Sequence, residues 1–184
     1  MEFNHQVFEQ FPVLTTPRLT LREIRIQDAQ QIYEMRSNGR VNQFIARPEM
    51  QEPEQAIALV ERTRNAYVNK LAIGWAGVLR DSETIIGTCG FNSIDIANLR
   101  AEIGGELDVH FWGKHIAFEA VETIVSFGFQ TMGLHTIEAK VSPDNRGAIY
   151  VLEQLGFIKE AHFKDRIRFQ DHFLDMAIYT AFSR

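Results

Sequence analysis

The chain has 184 residues, 45% hydrophobic and 23% charged, so it can bury one core and reads as a single domain over 1–184. Its net charge of -5 argues against general attraction to nucleic acid or anionic membranes, and no apolar run nears the roughly 18 residues a bilayer demands. A lone cysteine, Cys89, excludes an internal disulfide framework, and Met1 to His5 lack a basic patch leading into an apolar leader; both point to a cytoplasmic protein.

Residues 1–15 are mixed in character and read as a loosely held N-terminal segment. Thr16 to Ile26 is rich in β formers, with a change of apolar phase between Leu21 and Ile24. Asp28 is placed to cap a short helix carrying Ile32, Tyr33 and Met35. Pro53 suits the first turn of a longer helix with Ala56, Leu59, Val60, Thr63 and Tyr67 on one face. Leu71 to Arg80 and Thr84 to Ser93 read as antiparallel strands around Asp81-Ser82-Glu83.

Next comes Glu102 to Ala120. Ile103, Leu107, Val109 and Phe111 alternate, so a strand is expected through Phe111. After Trp112-Gly113-Lys114 the pattern becomes helical, with Ala117, Ala120, Val121, Ile124 and Gly128 on one face and a stop at Met132-Gly133. A strand turning tightly into a helix offers unpaired N–H groups and the positive end of the helix dipole, a ready anion site. An ordinary strand–loop–helix joint has the same pattern. Leu134 to Val141 then reads as a strand, Pro143-Asp144-Asn145 opens a helix ending at Gly156, and Phe157 to Arg168 and Asp171 to Phe182 alternate as closing strands. Strands mixed with helices make the class α/β or α+β.

Several residues together resemble a family. The Glu102 to Ala120 stretch, Leu134-His135-Thr136-Ile137-Glu138-Ala139, and Asn145 followed by Glu153-Gln154-Leu155-Gly156-Phe157 resemble the GNAT superfamily of acyl-CoA-dependent N-acetyltransferases. Thr16-Pro17-Arg18-Leu19-Thr20-Leu21-Arg22 and Ile86-Gly87 narrow the likeness to the branch of ribosomal-protein N-terminal (RimJ/RimL-type) acetyltransferases, and it runs from about Thr16 to Thr180. The resemblance implies a mixed, mostly antiparallel sheet with a splayed central strand and helices on both faces. It also implies acetyl-CoA as co-substrate, with Leu107 and Val109 offering backbone groups to the pantetheine arm and Asn145 near it. The pyrophosphate would lie on Trp112, Gly113, Lys114, His115, Ile116 and Ala117. The family pattern Gln/Arg-x-x-Gly-x-Gly/Ala is altered here. Trp112 replaces the polar first residue, and His115 stands where a glycine is expected. A histidine with helical backbone keeps the amide donors, whereas a positive φ would distort the pocket.

Acetyl transfer to an amine requires a polarised thioester carbonyl and a group that takes the ammonium proton. By period two, Glu102 and Glu106 share one strand face with Asp108 and His110 continuing it, which makes Glu102 the first candidate base and Glu106 the second. A solvated polar face has the same pattern. In the resembled branch a serine or tyrosine on the helix after Asn145 is the usual proton donor, and those positions hold Ala148 and Leu152. Cys89 reads as a packing thiol, His162, His172, Asp171 and Asp175 lack metal-ligand spacing, and Lys164, Arg166 and Arg168 read as an exposed strand face. No metal is expected.

The expected activity is therefore transfer of acetyl from acetyl-CoA to a primary amine, either a protein N-terminus or a small molecule, with the negative charge modestly favouring a cationic acceptor. The rival is a non-catalytic GNAT-like module that binds a CoA ester or a protein partner, supported by His115, Ala148 and Leu152. Transfer of a longer acyl chain is also open, as is a homodimer through the tail strands.

Overall fold

A computed structural model describes residues 2–183. One eight-stranded sheet runs through it in the order β1-β2-β3-β4-β5-β6-β8-β7. The strands are β1 (Leu14–Thr15), β2 (Leu19–Glu23), β3 (Ile73–Leu79), β4 (Ile85–Asp95), β5 (Arg100–Leu107), β6 (Thr136–Val141), β7 (Ile158–Phe169) and β8 (His172–Phe182). Every pairing is antiparallel except β5 with β6. The helices are α1 (Ala29–Arg36), α2 (Gly39–Asn42), α3 (Pro53–Val68), α4 (Ile116–Gln130) and α5 (Arg146–Gln154). The crossover from β5 to β6 runs through α4, as parallel neighbours require.

Helices cover both faces, each for a reason visible in its own residues. On one face Ile32 of α1 and Ala56 and Val60 of α3 are buried against Ala76, Val78 and Ile85. On the other, Ile116, Ala120, Ile124 and Phe127 of α4 and Leu152 of α5 join Leu21, Trp75, Phe91, Ile103 and Ile137. Trp75 meets Phe91 and Phe127 edge-on at centroid distances of 6.1 and 5.8 Å, each pair adding about 1 kcal/mol beyond its burial. α3 begins as expected at Pro53, and left-handed glycines follow the two later helices, Gly133 at φ 76° and Gly156 at φ 80°.

Three expectations need correction. Residues 1–15 are not loosely held along the part described. Phe3 and Val7 are buried in the core, the Asn4 amide donates to the Met132 carbonyl, and the Tyr67 hydroxyl and Trp75 indole donate to the Val7 and Pro12 carbonyls. Two isolated apolar residues carry no periodic signal, so only the core's vacancy for them reveals the docking. Asp28 does not cap α1 forwards. Its carboxylate turns back to accept from the Arg25 amide and, bidentately at 2.8 Å, from the Arg22 guanidinium. Finally, the central strand stops at Leu107, not Phe111. Asp108 accepts from the His110 amide and winds Val109–Phe111 into a 3-10 turn.

Candidate active site

Strands β5 and β6 pair at Arg100 with Thr136, Ala101 with Ile137 and Glu102 with Glu138, then separate, although β5 continues to Leu107 and β6 to Val141. This is the splay that the resemblance implies. Its polarity follows from the register. Asp108 donates to the Ile86 carbonyl, and the Thr136 amide donates to the Leu99 carbonyl, so even-numbered β5 residues bond to β4 while odd-numbered ones face β6. Past the fork, the N–H groups of Gly105 and Leu107 point into the gap. A cleft of about 1660 Å³ opens there, lined by β5, the α4 turn, the α5 start and residues 39–49.

The six-residue turn beside the gap has two left-handed residues, Gly113 at φ 71° and His115 at φ 57°, ψ 17°. The φ of His115 is thus positive, the case for which a distorted pocket is expected, and it is the angle a glycine would take there. His115 precedes Ile116, the first residue of α4, whose first-turn amides have no partner within the helix. The turn is tied from both ends. The Trp112 indole donates to the Leu107 carbonyl at 2.8 Å, and Arg18 donates to the Lys114 carbonyl at 2.8 Å. Arg18 also pairs with Glu119 in the first turn of α4, which further accepts from the Arg18 amide and the Thr16 hydroxyl. Burial would raise the Glu119 carboxyl, but the bonds from Thr16 and Arg18 outweigh it and hold the group below the ordinary glutamate value. Lys114 Nζ lies over the Phe111 ring, 5.3 Å from its centroid.

The two candidate carboxylates leave β5 from the face opposite α4, since Ile103 packs with Ile116 and Ala120. Their settings differ. Glu106 is buried, with Oε1 accepting from Arg36 Nε at 2.7 Å and Thr88 Oγ1 at 3.1 Å, and with Arg47 Nη2 against Oε2. Oε1 carries both hydrogen bonds, and Oε2 faces Arg47 as an ion pair without a hydrogen bond. Glu102 stands at the fork and lines the cleft, bonded through Oε2 to Lys140 Nζ at 2.6 Å, with no hydrogen bond to Oε1 among the described residues.

This architecture has known counterparts. A family model described as an acetyltransferase (GNAT) domain matches residues 18–158. The chain belongs to the GNAT acetyltransferase family. It is 33% identical over 171 residues (93% of this chain, 96% of the relative) to an uncharacterized N-acetyltransferase, p20, of Bacillus licheniformis. It is 38% identical over 150 residues (82% and 85%) to an uncharacterized N-acetyltransferase, YoaA, of Bacillus subtilis. The fold matches that of RimL, a ribosomal L7/L12 alpha-N-protein acetyltransferase solved with coenzyme A, with a TM-score of 0.85, 17% identity and coverage of 93% of this chain and 98% of that one. It also matches the microcin C7 self-immunity acetyltransferase MccE solved with acetyl-CoA and AMP, with a TM-score of 0.80, 22% identity and coverage of 90% and 93%. Family and relatives make the chain an acyl-CoA-dependent N-acetyltransferase rather than a silent binding module.

In this acetyltransferase the remaining candidates fall into place unevenly. Asn145 caps α5, its Oδ1 accepting from the Ala148 amide at 3.1 Å, which leaves only its Nδ2 to face the cleft. The Leu107 carbonyl is occupied by Trp112, so Leu107 offers its N–H alone. Val109 sits in the 3-10 turn with its carbonyl taken by the Trp112 amide, and has left the strand register expected of it. Leu152 is buried and Tyr150 is exposed at the cleft rim. Burial pushes the Cys89 thiol up to about 12, which suits packing rather than attack. The acetyltransferase also uses residues the sequence did not single out: Arg18, Thr16 and Glu119 brace the turn, and Arg36 and Arg47 hold Glu106. A Thr-Pro-Arg string ahead of β2 was the only local hint of the first set. No helix among the described residues is long and apolar enough to cross a membrane.

Proposed function

We propose that this acetyltransferase moves the acetyl group of acetyl-CoA directly onto a primary amine at the fork of β5 and β6. The amides of the turn after Trp112 and the α4 dipole receive the pyrophosphate. The gap-facing N–H groups of Gly105 and Leu107 meet the pantetheine arm and thioester, where such a donor stabilises the oxyanion formed on attack. Asn145 Nδ2 supplies a further donor to the arm. Glu102 Oε1 takes the ammonium proton, freeing the lone pair that attacks the carbonyl carbon; the C–S bond then breaks, and the second proton on the nitrogen passes to the departing sulfur or to water as the neutral amide forms. With Ala148 and Leu152 at the usual donor positions, no side chain protonates the thiolate in the gap, and its modest basicity lets it depart unaided.

The observation that carries this reading is the open Glu102 oxygen at the point where the strands part. Glu106, buried and held by Arg36, Thr88 and Arg47, is a positioning group. The acceptor we propose first is a protein N-terminus. RimL bears that activity in its name, as does the [ribosomal protein uS5]-alanine N-acetyltransferase of Escherichia coli, 29% identical over 99 residues that span 51% of each chain. The cytoplasm is the corresponding compartment.

Calorimetric titration of acetyl-CoA tests the cofactor half, in the wild type and in His115→Gly. Saturable binding by both is expected, because His115 already holds the glycine-like angle. Binding by the variant alone would mean that the histidine has closed the phosphate turn. Thiol release with a panel of amines tests the transfer half.

A further inference from the structure

Around Glu106 two guanidiniums face one carboxylate, while Glu49, Glu102, Asp144 and Asp175 line the cleft elsewhere. Arg36 Nε pairs with Glu106 Oε1 at 2.7 Å and suffices to balance that charge. Arg47 is a second guanidinium on the same carboxylate, and it lines the cleft whereas Arg36 does not. Its Nη2 is buried beside Glu106 as an ion pair without a well-directed hydrogen bond. Its Nε donates to Asn42 Oδ1 at 2.7 Å, and Nη1 has no partner among the described residues. Asn42 is itself buried and fixed, donating to the Arg36 and Asn38 carbonyls at 2.7 and 3.1 Å. Burial, and Arg36 after it, push the Arg47 guanidinium down against the pull of Glu106. A cation held rigidly with spare donors in a partly dry wall is a site for an oxyanion.

The position says which molecule brings that oxyanion. Arg47 reaches the β5 face that carries Glu102 and Glu106, opposite the face on which α4 packs. The proposed pyrophosphate turn belongs to α4, so coenzyme A phosphates have their own cradle. Glu102 lies four residues before Glu106 on the same face, roughly 13 Å along the strand. We infer that Arg47 is an acceptor-specificity residue: the amine substrate carries a carboxylate or phosphate monoester, held by Arg47, at a distance from the amino group that reacts near Glu102. This rests on the acetyl-transfer reading above and replaces the expectation, drawn from net charge, of a cationic acceptor.

The test pairs turnover with binding. Thiol release is compared for 6-aminohexanoate against 6-aminohexanamide, for phosphoethanolamine against ethanolamine, for a peptide with a free N-terminus and a nearby glutamate against its glutamine counterpart, and for spermidine. In parallel, glutarate and inorganic phosphate are titrated calorimetrically into protein saturated with coenzyme A, which keeps the phosphate turn filled. The expected result is a preference of about tenfold or more in kcat/KM for at least one anionic member, which tells carboxylate from phosphate. Arg47→Gln should abolish the preference and the anion binding, and Arg47→Lys should restore part of both. Should Arg47→Gln fail to fold, Glu106→Gln answers instead, since freeing Arg47 from its competitor should tighten anion binding. Equal rates for charged and neutral partners, or preference for spermidine, overturn the inference while leaving acetyl transfer standing. Arg47-dependent anion binding without turnover of any amine would sustain the anion site and sink the transfer reading instead.

Discussion

At the scale of single residues, His115 holds a left-handed backbone at φ 57° that L-residues other than asparagine, aspartate and histidine seldom adopt. Among the described residues its ring makes no hydrogen bond, so no such bond offsets the strain. Substituting glycine should therefore raise stability by about 1 kcal/mol, with part of the strain relief lost to the greater freedom of glycine in the unfolded chain. Denaturant unfolding would read this; a loss of stability would show that the imidazole contributes more than the strain it carries. Glu102 has a sharper signature. Glu102→Gln should lower kcat by about a hundredfold or more while leaving the acetyl-CoA Kd unchanged, because a general base acts on the acceptor and not on the coenzyme. A parallel loss of coenzyme affinity would make Glu102 a cofactor ligand.

Between elements, the decisive contact ties β2 to α4. Thr16, Pro17 and Arg18 lead into β2; the Thr16 hydroxyl and the Arg18 amide and guanidinium converge on Glu119, while Arg18 also reaches the Lys114 carbonyl. Arg18→Ala should weaken acetyl-CoA binding about fivefold, near 1 kcal/mol, as expected for a half-exposed pair whose role is to steady a turn. The same network sets a pH dependence. The Glu119 carboxyl is held below its ordinary value of 4.5 in the folded state. Its contribution to stability is therefore complete above the unfolded value and is lost as pH falls through the folded one. Stability measured below pH 4.5 should decline less in Glu119→Gln than in the wild type, and identical acid profiles would remove Glu119 from the account.

Across the whole molecule, the N-terminal segment is part of the core. Phe3 stacks on Phe8 and packs under α4, next to Gly133, where a Cβ would meet the Glu2 carbonyl at 2.3 Å. Phe3→Ala should cost about 3 kcal/mol in urea unfolding, the ordinary range for a buried aromatic truncated to alanine. A cost near zero would mean that the segment lies on the core without filling it. Coenzyme A spans the fork, the turn and α4 in the proposed mode, so it should raise the unfolding midpoint, by about 2.7 kcal/mol of stability at a hundredfold excess over Kd.

The sequence by itself determined most of the strands and helices from Thr16 onward, the tight turn into α4 and the row of carboxylates on β5. All of these are local patterns: alternation, three-and-four spacing, and a strand running into a helix at Trp112 to Ala117. It also contained the family signature. Tertiary structure alone decided what each carboxylate can do. Glu102 and Glu106 are indistinguishable by period, but Arg36, Arg47 and Thr88 approach one of them from distant segments while Lys140 leaves an oxygen of the other open. It likewise decided that Asp108 would end the strand early, that Trp112 would take the Leu107 carbonyl, and that Phe3 and Val7 would fill the core. Period and propensity act over neighbouring residues, whereas ion pairing and core filling depend on which distant groups the fold brings within a few ångströms.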